Sequence, residues 1–205
     1  MFTRKLKKIV ASTLIIGILG CNSYNVGAYS GANAATYAKK YATSYNSAYH
    51  AFDNDCTNFA SQCVFAGGKS ISGYKAPVFG GTTEATSSKW YYVSLNSSPY
   101  YYACSTPWIR CGGSNAFYHY WNSSIIGTYS SLSNVVKNAR VGDVIQICHS
   151  DGYIQHSIIC TSKTSSEIYC ASHTSDYAND SLTEINRRAK NAWGSGLMYC
   201  IYRFS

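Results

Sequence analysis

The sequence predicts an α+β domain, with helices in its first third and an antiparallel run of strands in its last. Two patterns carry this expectation. Between residues 32 and 66, apolar and tyrosine side chains recur at spacings of three and four, the helical period. From Val141 onward, short β-rich runs alternate with clusters of turn residues. The composition bounds the size. A chain of 205 residues, 46% hydrophobic and only 13% charged, can pack one core and is too poor in charge for a coiled coil.

Residues 1–28 read as a secretory signal. Arg4, Lys5, Lys7 and Lys8 precede the apolar run Ile9 to Gly20, and Val26-Gly27-Ala28 supplies small residues for cleavage. The apolar run is shorter than the roughly 20 residues of a transmembrane helix. An alternative is Ile18-Leu19-Gly20-Cys21, which would make a lipoprotein anchored through Cys21. The expected product is one domain over 29–205, secreted or cell-wall associated, monomeric and without a membrane span. Four of the 17 basic residues leave with the leader, so thirteen face nine acids and the net charge falls from +8 to +4. The remaining Lys and Arg are scattered and form no stripe, which argues against nucleic acid as a partner.

Within that domain, Ala34, Tyr37, Ala38, Tyr41, Tyr45, Ala48 and Tyr49 predict a helix over 32–50. A second helix is expected at 56–66, with Asp55 as N-cap and Gly67-Gly68 as its stop. Residues 68–135 read as loop, apart from a short helix over 114–121. Strands are expected at 143–148, 154–161, 167–172 and 197–204. Asp151-Gly152 marks the turn between the first two.

The helix at 56–66 places Cys56 in its first turn. There the unpaired N–H groups and the positive end of the dipole favour a thiolate, the nucleophilic form. Such a nucleophile needs a base, normally histidine. The candidates are His50, His119, His149, His156 and His173. If the 154–161/167–172 hairpin turns between Thr164 and Ser165, His156 and His173 face each other across the ladder. His173 would then orient the ring of His156, and a slip of one residue would separate them. The expected catalytic set is Cys56, His156 and His173. His149, Asp151, His156 and His173 are ligand types, but no HExxH or paired CxxC accompanies them, so neither a metal nor a cofactor is expected. Seven further cysteines remain after the leader and Cys56. Cys104–Cys111 is the readiest local pair, and Cys160 lies near Cys170 across the hairpin.

Asp55-Cys-Thr-Asn-Phe-Ala-Ser-Gln-Cys63 and Ala66-Gly-Gly68 resemble the bacterial "putative amidase domain" family, related to NlpC-type, papain-like cysteine peptidases. Trp90-Tyr91-Tyr92, Gly142-Asp-Val-Ile-Gln146, His156-Ser157 and His173-Thr174 follow in the same order. The resemblance implies a papain-like fold with N-terminal helices on an antiparallel sheet. It also implies hydrolysis of a peptide or acyl-amide bond, with cell-wall peptidoglycan as the substrate class. Cys56 would be the nucleophile, His156 the base and His173 the polar third residue. The turn at 149–155 is shorter than the family's usual one, and Ala60 replaces a β-branched residue. A non-catalytic wall- or glycan-binding module on the same fold is the alternative.

Overall fold

The computed structural model describes residues 28–49, 51–70, 90 and 116–205. The leader with Cys21, His50, Cys104, Cys111, Tyr91-Tyr92 and much of the expected loop zone lie outside the described residues. In chain order the elements are α1 (Gly31–Tyr41), α2 (Cys56–Ala66), α3 (Ala116–Trp121), β1 (Ile125–Tyr129) and α4 (Leu132–Asn138). There follow β2 (Val144–Cys148), β3 (Ile154–Lys163), β4 (Ile168–Ser172), β5 (Tyr177–Ser181), α5 (Leu182–Trp193) and β6 (Met198–Tyr202). The strands form one sheet in the order β1-β6-β2-β3-β4-β5, with every neighbouring pair antiparallel. The α+β expectation therefore holds.

Strand alternation divides the molecule into two cores. On one face Val144, Ile159, Ala171 and Tyr202 pack with Ala34, Ala38, Phe59, Ala60 and Cys63 of α1 and α2. On the other, Ile145, Ile147, Ile158 and Cys160 pack with Val135 of α4 and Leu182, Ile185 and Ala189 of α5. All five residues of β2 are buried. A strand covered on both faces reads as a continuous apolar run, as Val-Ile-Gln-Ile-Cys does apart from Gln146.

The start of α1 is pinned to the entrance of β2. Tyr29 donates its hydroxyl hydrogen to the Gly142 carbonyl at 2.7 Å. Gly142 has φ +88°, and a Cβ there would lie 2.1 Å from the Cα of Gly31. Two backbones meet with no room for a side chain, which only glycine permits.

Four expectations change. Helix α1 ends at Tyr41 rather than continuing to residue 50. The Tyr41 carbonyl accepts from His173 Nε2 at 2.9 Å, and Asn46 Oδ1 takes the Ala48 N–H at 3.0 Å, so local polar groups turn the chain. The 68–135 zone contains β1 and the start of α4. Helix α5 was unforeseen, although Ser181 caps it by accepting the Glu184 N–H at 3.2 Å. Finally, the β3–β4 turn centres one position later than expected, with Thr164 N–H donating to Glu167 O at 2.8 Å. A bulge at Thr161 follows, giving the pairs Cys160↔Cys170 and Ile159↔Ala171. His156 and His173 are therefore not opposed, while Cys160 and Cys170 are, as free thiols.

Gly142→Ala adds a methyl group against Gly31 and an L side chain at positive φ. It should destabilise the protein by about 2 kcal/mol or more, read as a lower urea midpoint with an unchanged slope.

Candidate active site

Helix α2 begins at Cys56, as the sequence predicts, and Asp55 occupies the N-cap position. Its carboxylate does not cap in the ordinary way, because it makes no bond to the helix's own N–H groups. Instead Oδ1 accepts from Phe52 N–H at 2.9 Å and from Asn58 Nδ2 at 2.8 Å, and Oδ2 accepts from His173 Nδ1. The Asp55 N–H in turn donates to Thr174 Oγ1 at 3.0 Å. Thr174 has φ +77°, an uncommon conformation for a threonine, and Asp176 nearby also has positive φ.

His173 stands between three segments. Its Nδ1 meets Asp55 and its Nε2 meets the Tyr41 carbonyl. Both ring nitrogens therefore have a polar partner. Tyr45 stacks on one ring at 4.0 Å between centroids and Phe59 at 3.9 Å. Asp55 and His173 are 0% and 1% exposed. The pair is thus a buried, fully bonded clamp, and His173 orients Asp55 and the start of α2 rather than the ring of His156.

Cys56 is half-buried, whereas Cys63, Cys148, Cys160, Cys170 and Cys200 are buried. Backbone amides of Ser157 and Thr57 hydrogen-bond its sulfur, and Thr57 Oγ1 lies 3.9 Å away. Desolvation outweighs these hydrogen bonds and holds the thiol pKa above its ordinary value, so the thiolate expected from the helix start alone is not the favoured form here. Cys63 is a packed core residue of the α1–α2 face, the small hydrophobe its helical spacing suggests.

His156 lies elsewhere. Ser157 points its hydroxyl at Thr57 of α2, so alternation sends His156 and Ile158 to the opposite face. There His156 Nε2 sits 3.3 Å from Tyr177 OH, with Trp193 5.8 Å away between ring centroids. These residues line a cavity of about 80 Å³ with Ser175, Arg188 and Ala189. Arg188 lies over the Tyr177 ring and pairs with Asp180. Burial, and then the Arg188 charge, bring the His156 pKa down to about 4. Among the described residues no imidazole contacts the Cys56 sulfur.

The other histidines stand apart. His119 is exposed on α3 and His149 is half-buried in the β2–β3 turn. Among the described residues, no group of three His, Cys, Asp or Glu side chains is placed to hold a metal ion. No described helix is long and apolar enough to cross a membrane. The residues that sequence reasoning missed are Thr57 and Ser157 beside the sulfur, Gln146 behind Ser157, and Asp55 as a partner of His173. Their signal was polarity at positions where the helix and strand periods demand burial.

A family model described as "putative amidase domain" matches residues 28–197. The chain belongs to that family. It is 29% identical over 164 residues to the uncharacterized protein YjcM of Bacillus subtilis (strain 168), covering 76% of this chain and 33% of that protein. The chain thus spans about a third of the length of this curated relative. No solved structure matches it.

Two outcomes follow from the geometry. Asp55→Asn leaves His173 without a carboxylate partner in a buried site and should cost about 3 kcal/mol, measured by urea unfolding. For His156, the folded pKa of about 4 lies below the ordinary 6.5. Between those values the unfolded chain binds more protons, so stability is complete above pH 6.5 and falls as pH drops towards 4. The full loss is roughly 3 kcal/mol. Comparing unfolding at pH 7 and pH 4 should show that His156→Gln abolishes this component.

Proposed function

We propose that the chain is a secreted, cysteine-dependent amidase with Cys56 as nucleophile, acting on amide bonds of cell-wall peptidoglycan. One observation carries the reading: Cys56 is half-buried where the other described cysteines are buried, and it sits at the first turn of an 11-residue helix. The same position gives an attacking sulfur and, in the N–H groups of the helix's first turn, donors aimed towards an oxyanion. Family membership supports amide hydrolysis, and the leader supports export.

In the reaction proposed, the thiol yields its proton to His156 and the sulfur bonds to the carbonyl carbon. The imidazolium protonates the leaving amine as the C–N bond breaks. His156 then takes a proton from water, whose oxygen attacks the thioester and releases the acid and the free thiol. For this, His156 must leave Tyr177, and the end of β3 must turn. The irregularity between Ile147 and Cys148 in the β2–β3 register, opposite Gln155, is the place for it.

A second reading has its own observation. With His156 held on the α5 face, the fold would serve as a wall-binding module without turnover. Incubation with purified sacculi separates the two. Cys56→Ala should lower release of amide-cleavage fragments at least about 1,000-fold while circular dichroism stays native. Undiminished release would exclude the nucleophile. Saturable binding with no release by the parent protein would favour the module.

A further inference from the structure

The Cys56 sulfur ends a line of buried polar side chains that crosses four elements. Tyr202 of β6 donates its hydroxyl hydrogen to Gln146 Oε1 of β2 at 2.5 Å. Gln146 Nε2 donates to Ser157 Oγ of β3 at 3.1 Å. Ser157 Oγ lies 2.9 Å from Thr57 Oγ1 of α2, and Thr57 Oγ1 lies 3.9 Å from the sulfur. Tyr202, Gln146, Ser157 and Thr57 are all buried.

The chemistry of the groups sets the direction of the line. An amide nitrogen only donates, so Ser157 must accept from Gln146. The hydrogen of Ser157 then has Thr57 Oγ1 as its acceptor. Thr57, accepting there, has the sulfur left for its own hydrogen. Buried hydroxyls seek a partner for each hydrogen, and this arrangement alone satisfies both.

We propose that Tyr202, Gln146, Ser157 and Thr57 form a one-way chain of donors that ends on Cys56 Sγ and stabilises the thiolate once the thiol has given up its proton. The proposal deepens the nucleophile reading and rests on it for its catalytic meaning. The four are positioning residues, since none is placed to touch a substrate. Donor chains polarise along their length, so Tyr202 acts on the sulfur at a distance. Charged groups near the sulfur work the other way or are engaged elsewhere. Asp55 opposes the thiolate, and His173 is bonded to Asp55.

The test is the pH profile of Cys56 alkylation by iodoacetamide in the full chain, read by peptide mass spectrometry so that buried thiols are counted separately. Thr57→Val is nearly isosteric and removes the last donor. It should raise the midpoint by about 0.5–1 pH unit, or about three- to tenfold slower labelling below the midpoint. Thr57→Ser should restore it, and Tyr202→Phe should shift it less in the same direction. An unmoved or lowered midpoint in a natively folded Thr57→Val protein overturns the proposal. If that variant does not fold, Ser157→Ala carries the same expectation and the same contrary result. The readout needs no substrate. Amidase activity surviving Cys56→Ala would therefore end the nucleophile reading and leave the labelling result standing, while a flat labelling profile would end only the donor chain.

Discussion

The bond between Asp55 and His173 is the constraint on which the site depends. It joins the end of α1, the start of α2 and the turn after β4 at one buried point. Each polar atom of the pair has a partner, so the cost of burying the two polar groups is offset by hydrogen bonds. Tyr45 and Phe59 close over both faces of the ring. Several local features follow from this. Tyr41 loses its carbonyl to His173 and α1 stops. Thr174 keeps a left-handed backbone because its hydroxyl receives the Asp55 N–H. Helix α2 starts at a defined residue, and that residue is Cys56.

Cys56 and His156 are separated by the sheet's own geometry. A strand sends successive side chains to opposite faces, so when Ser157 bonds Thr57, its neighbour His156 faces α5. The two cores are accordingly unlike in chemistry near β3. The α2 side holds a sulfur supplied with donors by backbone amides and hydroxyls. The α5 side holds a neutral imidazole between Tyr177, Trp193 and Arg188. The proposed nucleophile and the proposed base are thus held apart in this conformation, and the proposed turnover requires movement at the end of β3.

Much of the fold was legible in the sequence. Helix α2 was readable at both ends, because a polar cap and a Gly-Gly stop bracket an apolar stripe. The central strands were readable from their β-branched runs. Register was not, since it rests on where a Ser/Thr turn centres and on one bulge at Thr161, and neither leaves a hydrophobic pattern. That single shift took His173 from His156. The over-long α1 has a different cause: the Tyr/Ala stripe continues past Tyr41, but a tertiary hydrogen bond claims the carbonyl that would extend the helix. Helix α5 did carry a local sign, Ser181 followed by Glu184 at capping-box spacing. At the site, the place of Cys56 in the first turn of α2 was legible, whereas the partner of His173 was not: it is Asp55 and not His156. The donors around the sulfur were not legible either, because Thr57, Gln146 and Ser157 acquire meaning only when four elements meet.

The central claim is that Cys56 forms a covalent bond with the substrate's acyl group. Mixing the protein with soluble peptidoglycan fragments, quenching in acid within the first turnover and mapping the mass of each cysteine peptide tests it directly. A nucleophilic Cys56 leaves an acyl adduct on the peptide that carries it, absent from the Cys56→Ala protein. Fragment cleavage with no adduct there, or an adduct on another residue, would contradict it.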